Sequence, residues 1–262
     1  TQSNVIIGTY AGINIYADEN TIVGKDSGRY LGQAYSNKNV AVGYRALMGA
    51  SASPSTNSAN TNVAVGYLAG GGVTEAYQNV LIGAYAGDAI TTGQNNTALG
   101  YAALSAEDTG TRNVAIGNET LKVLNYDGAG YNVAVGHRAG YALTTGVYNT
   151  LLGSFAGYTL TTGLENTAIG YASLYHNVTG NYNTAIGRGA GARFLQSNST
   201  ALGYYAGHFA SGSNNTFVGF EAGKGTTNSA PFSSGQQNVA IGYQSFYRFS
   251  TGGSNVAIGM QA

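Results

Sequence analysis

The sequence contains no cysteine and no tryptophan, only two prolines, and few charged residues. Without cysteine, the chain can form neither disulfide bridges nor thiolate metal sites. Charged residues make up 8% of the 262 positions, and the formal net charge is zero. Because nucleic-acid binding needs a basic surface that neutralises phosphates, no nucleic-acid partner is expected. The apolar runs are short and interrupted by asparagine and glycine, so membrane insertion is not expected either.

Glycine, by contrast, is abundant, and many of the 41 glycines close copies of one short motif. The motif reads Asn, then Val or Thr, then usually Ala, then Ile, Val or Leu, then Gly. Seven of the fourteen intervals between closing glycines are 17 residues long, and the others are 16, 19 or 23. Such regular spacing indicates a repeat protein. The closing glycines are Gly8, Gly24, Gly43, Gly66, Gly83, Gly100, Gly117, Gly136, Gly153, Gly170, Gly187, Gly203, Gly219, Gly242 and Gly259.

Each motif has the pattern of a short strand. Residues such as Thr167 and Ile169 lie two apart, which predicts that they share the buried face of a β-strand. The glycine content and the lack of a helical apolar stripe exclude an α-helical fold. A second apolar column, seven residues after the closing glycine, predicts a second strand; it includes Ile15, Leu31, Ile90, Leu143, Leu160 and Phe194.

These features predict an all-β fold, a parallel β-solenoid or β-roll of about fifteen 17-residue coils. Residues 1–262 are expected to form one repetitive domain without a linker. The sequence begins and ends within the pattern, which predicts a fragment of a longer fibre.

One asparagine precedes every closing glycine by four positions, except where Ser199 replaces it. Stacked coils place equivalent residues above one another. We therefore predict a structural ladder in which side-chain amides are hydrogen-bonded from coil to coil, rather than a ligand site. Its members are Asn4, Asn20, Asn39, Asn62, Asn79, Asn96, Asn113, Asn132, Asn149, Asn166, Asn183, Asn215, Asn238 and Asn255.

The position three residues after each closing glycine is always Ala, Ser or Thr. Small side chains allow another backbone to approach closely, and one coil encloses little apolar volume of its own. We therefore expect the chain to pack against copies of itself, as a homotrimer of parallel shafts.

No arrangement of residues indicates catalysis or metal binding. The acidic residues fall in different columns, mostly near turns, where the facing carboxylates of a glycosidase are not expected. His137, His176 and His208 also occupy different columns and form no metal-ligand set. The glycines lack the Lys-Ser/Thr ending of a phosphate loop. We predict no enzyme activity, no catalytic residue, no cofactor and no metal site.

The two 23-residue intervals contain both prolines. Insertions in solenoids map to loops, which often lie on a binding face. A neutral insertion is the alternative, because loop closure costs rise slowly with length. The candidate receptor-contact residues are Ser53, Pro54, Ser55, Asn57, Asn228, Pro231 and Phe232.

Tyrosine occurs 21 times and often follows the closing glycine. If this column faces outward, its rings could stack on sugars. The alternative is that the rings pack on one another along the shaft. The candidate glycan-stacking residues are Tyr44, Tyr67, Tyr101, Tyr171, Tyr204 and Tyr243.

The units at 166–171 (NTAIGY) and 238–245 (NVAIGYQS), with Thr-Thr-Gly turns between such units, resemble the repeat region of phage-type tail fibre proteins. They are also similar to the head β-roll of trimeric autotransporter adhesins. The period of 17 and the asparagine position differ from the adhesin motif and favour the tail fibre.

The resemblance implies a homotrimeric, extracellular fibre that attaches to a host surface glycan or protein receptor, as a virion tail fibre or a cell-surface appendage. The alternative it implies is a bacterial surface adhesin that binds glycans or matrix. An ice-binding solenoid is less favoured, because its Thr array would have to be exposed and Thr alternates here with Val in a column expected to be buried.

Overall fold

The computed structural model describes residues 3–13, 15, 17–31, 36–49, 58–226 and 232–262. In these ranges the regular secondary structure consists of three-residue parallel β-strands, and no helix occurs among them. The predicted all-β solenoid with about 17 residues per coil is therefore confirmed. By its internal contacts the chain divides into two compact units, Thr1–Tyr131 and Asn132–Ala262.

In the first unit each strand pairs with the next one in register, one coil after another. Its strands are β1 (Val5–Ile7), β2 (Thr21–Val23), β3 (Val40–Val42), β4 (Val63–Val65), β5 (Val80–Ile82), β6 (Thr97–Leu99) and β7 (Val114–Ile116).

The second unit is built in the same way, so that Thr167, Ala168 and Ile169 pair with Thr184 and its two successors. Its strands are β8 (Val133–Val135), β9 (Thr150–Leu152), β10 (Thr167–Ile169), β11 (Thr184–Ile186), β12 (Thr200–Leu202), β13 (Thr216–Val218), β14 (Val239–Ile241) and β15 (Val256–Ile258).

The second apolar column lies in turns, and the predicted second strand is wrong. Ile90, Leu160 and Phe194 are fully buried, but none of them belongs to a strand. The second and fourth residues after the closing glycine have positive φ, as at Tyr85 (59°) and Gly87 (52°). Left-handed residues in close succession curl the backbone and prevent extended pairing. Each coil therefore has one short strand followed by turns.

The strands point their middle residue inward, opposite to the expected orientation. In β10, Ala168 is fully buried, whereas Thr167 and Ile169 are only partly buried. The same burial of the middle residue holds from β2 to β14. The prediction that the Val/Thr and aliphatic columns form the buried face is therefore wrong.

The narrow interior explains this orientation. A Cβ atom added to Gly87 would lie 2.7 Å from Cδ2 of Leu81, the middle residue of β5. Where the residue equivalent to Gly87 is large, as at Leu104, the middle residue of the strand is Ala98 instead. Each coil therefore holds at most one large side chain of this pair in the core, and two β-branched residues per strand cannot both point inward.

The small-residue column also lies inside the coil. Ala86, Ala103 and Ser173, each three residues after a closing glycine, are fully buried by their own chain. Their small size is required by the interior of the solenoid, so this column gives no argument for a second chain.

The closing glycines allow adjacent coils to stack. Gly153 has φ of 131°, and a Cβ atom there would lie 2.7 Å from the carbonyl oxygen of Gly170 in the next coil. Side chains rarely adopt this φ, and the contact leaves no space for one. The glycine is therefore needed both for its backbone conformation and for the distance between coils.

We predict that Gly153→Ala destabilises the chain by about 2–4 kcal/mol, because it combines an unfavourable φ with a clash between coils. Gly259→Ala is the matched control, since Gly259 has φ of 127° but a Cβ there would meet only Ala262, at 3.9 Å. We expect a loss of about 1–2 kcal/mol in the control. If both variants lost the same free energy of unfolding in thermal or urea denaturation, the close approach of adjacent coils would not be a reason for glycine at position 153.

Candidate functional site

The asparagine column forms a continuous set of hydrogen bonds within each unit. The Asn166 backbone N–H donates to Oδ1 of Asn149 at 3.0 Å, and the Asn183 N–H donates to Oδ1 of Asn166 at 3.0 Å. The Asn166 side chain also donates to the Gly180 carbonyl oxygen at 2.8 Å. Each side-chain amide thus bonds to the next coil at two places. Its oxygen accepts the backbone N–H of the next asparagine, just before the strand, and its nitrogen donates to a carbonyl oxygen in the turn.

The ladder continues through its single exception. Ser199 accepts the N–H of Asn215 through its hydroxyl at 3.2 Å, and its own N–H donates to Asn183. Apart from Asn4 and Asn255, the described ladder asparagines are buried. Because the amides are buried and hydrogen-bonded to neighbouring coils, the ladder is structural and presents no free group to a ligand.

The candidate insertion loops lie mostly outside the described residues. Ser53, Pro54, Ser55 and Asn57 fall in one such stretch, and Asn228 and Pro231 fall in the other. Phe232 is described and partly buried, and the Arg193 guanidinium lies 4.2 Å from its ring centroid.

The predicted tyrosine column of the second unit packs along the solenoid. The rings of Tyr204 and Phe220 stack at 5.1 Å, and those of Phe220 and Tyr243 at 5.3 Å. Arg188 extends this column, with its guanidinium 5.6 Å from the Tyr171 ring and 6.0 Å from the Tyr204 ring. Sequence reasoning missed Phe220 and Arg188 as members of this column. Both directly follow a closing glycine, which is the position by which the tyrosines were identified.

The tyrosines of the first unit are arranged less regularly. Tyr44 stacks on Tyr67 at 5.4 Å, while Tyr85 meets the rings of Tyr67 and Tyr101 edge-on, at 5.2 and 6.0 Å. These columns also face outward, since Tyr67, Tyr101, Tyr171, Tyr204 and Tyr243 are 38–52% exposed. The rings therefore pack along the solenoid and remain exposed, and sugar stacking on them stays a prediction.

The outward residues of the strands form a second surface, which we call the outer strand face. In the second unit it carries a column of five consecutive threonines beside a column of aliphatic residues. Leu202 is 45% exposed and Ile241 is 39% exposed. From β9 to β14 the face consists of Thr150, Thr167, Thr184, Thr200, Thr216, Val239, Leu152, Ile169, Ile186, Leu202, Val218 and Ile241.

A cavity of about 380 Å³ opens on the second unit; we call it the Tyr175 slot. His208 Nδ1 lies 2.8 Å from the Gly189 carbonyl oxygen, so Nδ1 carries the proton and Nε2 remains available. The residues lining it include Tyr175, His176, Ala192, Arg193, His208 and Phe209.

Both histidines of the slot favour the neutral state. Burial, reinforced by the charge of Arg193, lowers the pKa of His176. Burial also lowers the pKa of His208; its bond to Gly189 opposes this, whereas Lys224, Arg193 and His176 add to it. An anion bound nearby would favour the protonated imidazoles.

The carboxylates of the chain serve structural roles where their partners are described. Asp26 pairs with Arg29 at 2.7 Å, and Glu221 pairs with Lys224. Glu107 is buried and accepts the Gly110 N–H at 2.7 Å, while burial raises its pKa to about 7. Sequence reasoning missed this turn-capping role, which Asn177 repeats at the equivalent position by accepting the Gly180 N–H.

Among the described residues no group of three or more His, Asp or Glu side chains could hold a metal ion. Within those same ranges no helix is long and apolar enough to cross a membrane. No protein-family model, curated protein or solved structure matches the chain.

We predict that Asn166→Ala destabilises the chain by about 2–4 kcal/mol, because the Asn183 N–H and the Gly180 carbonyl lose buried partners. Asn166→Ser should cost about half as much, since Ser199 shows that a hydroxyl can accept the same N–H. Chemical unfolding of both variants measures the difference. Equal stability of the alanine and serine variants would contradict the ladder's energetic role.

Proposed function

We propose that the chain is a non-enzymatic structural shaft of an extracellular fibre, which assembles as a homotrimer and carries a surface for host attachment. A tail fibre of a phage or phage-tail-like particle is the form that the repeat resemblance favours. A bacterial surface adhesin with the same assembly is the alternative that the resemblance also implies.

The observation that carries this proposal is the outer strand face. Its aliphatic column includes Leu202 and Ile241, which remain exposed although both are large and apolar. An apolar surface repeated from coil to coil is typical of a protein–protein interface. Copies of the same chain present matching columns at the same spacing, which supports self-association in register.

The described surface supports binding rather than catalysis. The asparagine amides are engaged in the ladder, and the carboxylates of Asp26, Glu107 and Glu221 are held by neighbouring groups. Attachment through aromatic and cationic side chains on the turns is compatible with this arrangement, because Tyr204, Tyr243 and Arg188 are exposed.

An ice-binding solenoid is a second candidate, and one observation favours it. The threonine column from Thr150 to Thr216 occupies consecutive coils and points outward. The premise that this column is buried, which disfavoured ice binding, is wrong. The neighbouring aliphatic column nevertheless makes the face more apolar than a threonine array.

We predict that the purified chain sediments at three times its mass of 26.8 kDa in analytical ultracentrifugation. The double variant Leu202→Lys with Ile241→Lys should dissociate it, because two charges per chain would be buried in the interface. Leu195→Lys is the matched control: Leu195 is 37% exposed but lies outside the strands, so the trimer should persist.

A folded monomer at micromolar concentration would contradict the trimer. Thermal hysteresis measured on that monomer would then support the ice-binding candidate.

A further inference from the structure

A stacked column of tyrosines in the second unit stops abruptly. Tyr141, Tyr158 and Tyr175 each lie five residues after a closing glycine, and their rings stack at 5.4 and 5.2 Å with interplanar angles of 20°. The equivalent residue in the next coil is Ala192, and His208 occupies the position after that. The column therefore lacks one ring, and the Tyr175 slot lies at that place.

The missing ring leaves space of a defined thickness. Adjacent parallel strands lie about 4.8 Å apart, so the backbones at Tyr175 and His208, two coils apart, are separated by roughly 9–10 Å. One face of Tyr175 is covered by Tyr158, and the His176 ring meets Tyr175 edge-on at 4.7 Å, so Tyr175 and His176 together form one wall of the slot beside Ala192. His208 forms the opposite wall, where its ring is held by the Gly189 carbonyl and packs edge-on against Tyr205 and Phe209 at 4.4 Å, and the cavity between the two walls takes the place of the missing ring.

The edge of the slot is positively charged. Arg193 lines it and forms no ion pair with a carboxylate in the described part of the chain. Phe232 supports the guanidinium at 4.2 Å, which fixes its position without neutralising it. Lys224, in contrast, is paired with Glu221. The charge available to a ligand therefore comes from Arg193, with His176 and His208 able to add to it.

We propose that the Tyr175 slot binds an acidic saccharide, with a pyranose ring between Tyr175 and His208 and its carboxylate on Arg193. An aromatic ring supplies an apolar face for the C–H groups of a sugar, and a guanidinium matches a carboxylate with two parallel hydrogen bonds. The inference rests on the proposed attachment function, for which it names the class of receptor.

Binding is tested by calorimetric titration of the full chain with trisaccharides of glucuronate, galacturonate and N-acetylneuraminate. The methyl esters of the same sugars are the matched probes, because they keep the ring and remove the charge. We expect at least one acid to bind at least tenfold more tightly than its ester. Its affinity should rise from pH 7.5 to pH 5.5. His176 lies near Arg193, and His208 lies near Arg193 and the Lys224–Glu221 pair, and both imidazoles take up protons more readily when the anion binds.

Two variants locate the site. Ala192→Tyr adds the missing ring to the column and should abolish binding while leaving the melting temperature unchanged or higher. Arg193→Gln should weaken binding of the acid at least tenfold and leave the ester unaffected. Arg112→Gln, which removes an exposed arginine from the first unit, is the control and should bind as the unaltered chain does.

The proposal is overturned if none of the acids binds more tightly than its ester, or if Ala192→Tyr binds as well as the unaltered chain. Sedimentation of the same samples measures whether the chain is trimeric, which depends on the outer strand face. None of these substitutions lies on that face. Loss of saccharide binding with an intact trimer would thus reject the slot alone, whereas a monomeric chain that binds the acid would reject the trimer alone.

Discussion

The stacking of each coil on the next at the distance of paired strands is the constraint on which the rest of the structure depends. At that distance backbone atoms of adjacent coils leave no space for a side chain at the closing position, as at Gly153. The same distance allows one asparagine to join three coils, because Asn166 reaches both Asn149 and Gly180 and accepts from Asn183. Glycine and asparagine are thus fixed by one geometric requirement.

The narrow interior of the solenoid determines which side chains lie on its surface. A coil with Leu81 in its core has space only for glycine at position 87. The β-branched residues of each strand therefore lie on the outside. The outer strand face is a consequence of this exclusion, as are the aromatic columns on the turns, where side chains too large for the core stack on one another. Where such a column contains a small residue, as at Ala192, the regular spacing leaves a slot of about one ring.

The sequence alone predicts the period, the parallel stacking and the asparagine ladder, since these follow from the repetition of Asn166 and its equivalents. It does not predict which strand residues point inward, because the alternation of Thr167, Ala168 and Ile169 is compatible with either orientation. The second strand around Leu160 was predicted from an apolar residue alone; the left-handed conformation of Phe155 gave no warning in residue type, whereas Gly157 is a residue type that favours it. The Tyr175 slot depends on the absence of one ring, which becomes visible only when the coils are superposed.

In-register stacking of 17-residue coils is tested most directly by a distance between equivalent turn positions. Thr162 and Thr179 are both exposed and lie nine residues after successive closing glycines, and the chain has no native cysteine to interfere. Spin labels on cysteines placed at both positions should be about 5–10 Å apart and show strong dipolar broadening, while each single label shows none. A doubly labelled chain whose spectrum equals the sum of the two single-label spectra would contradict the stacked solenoid.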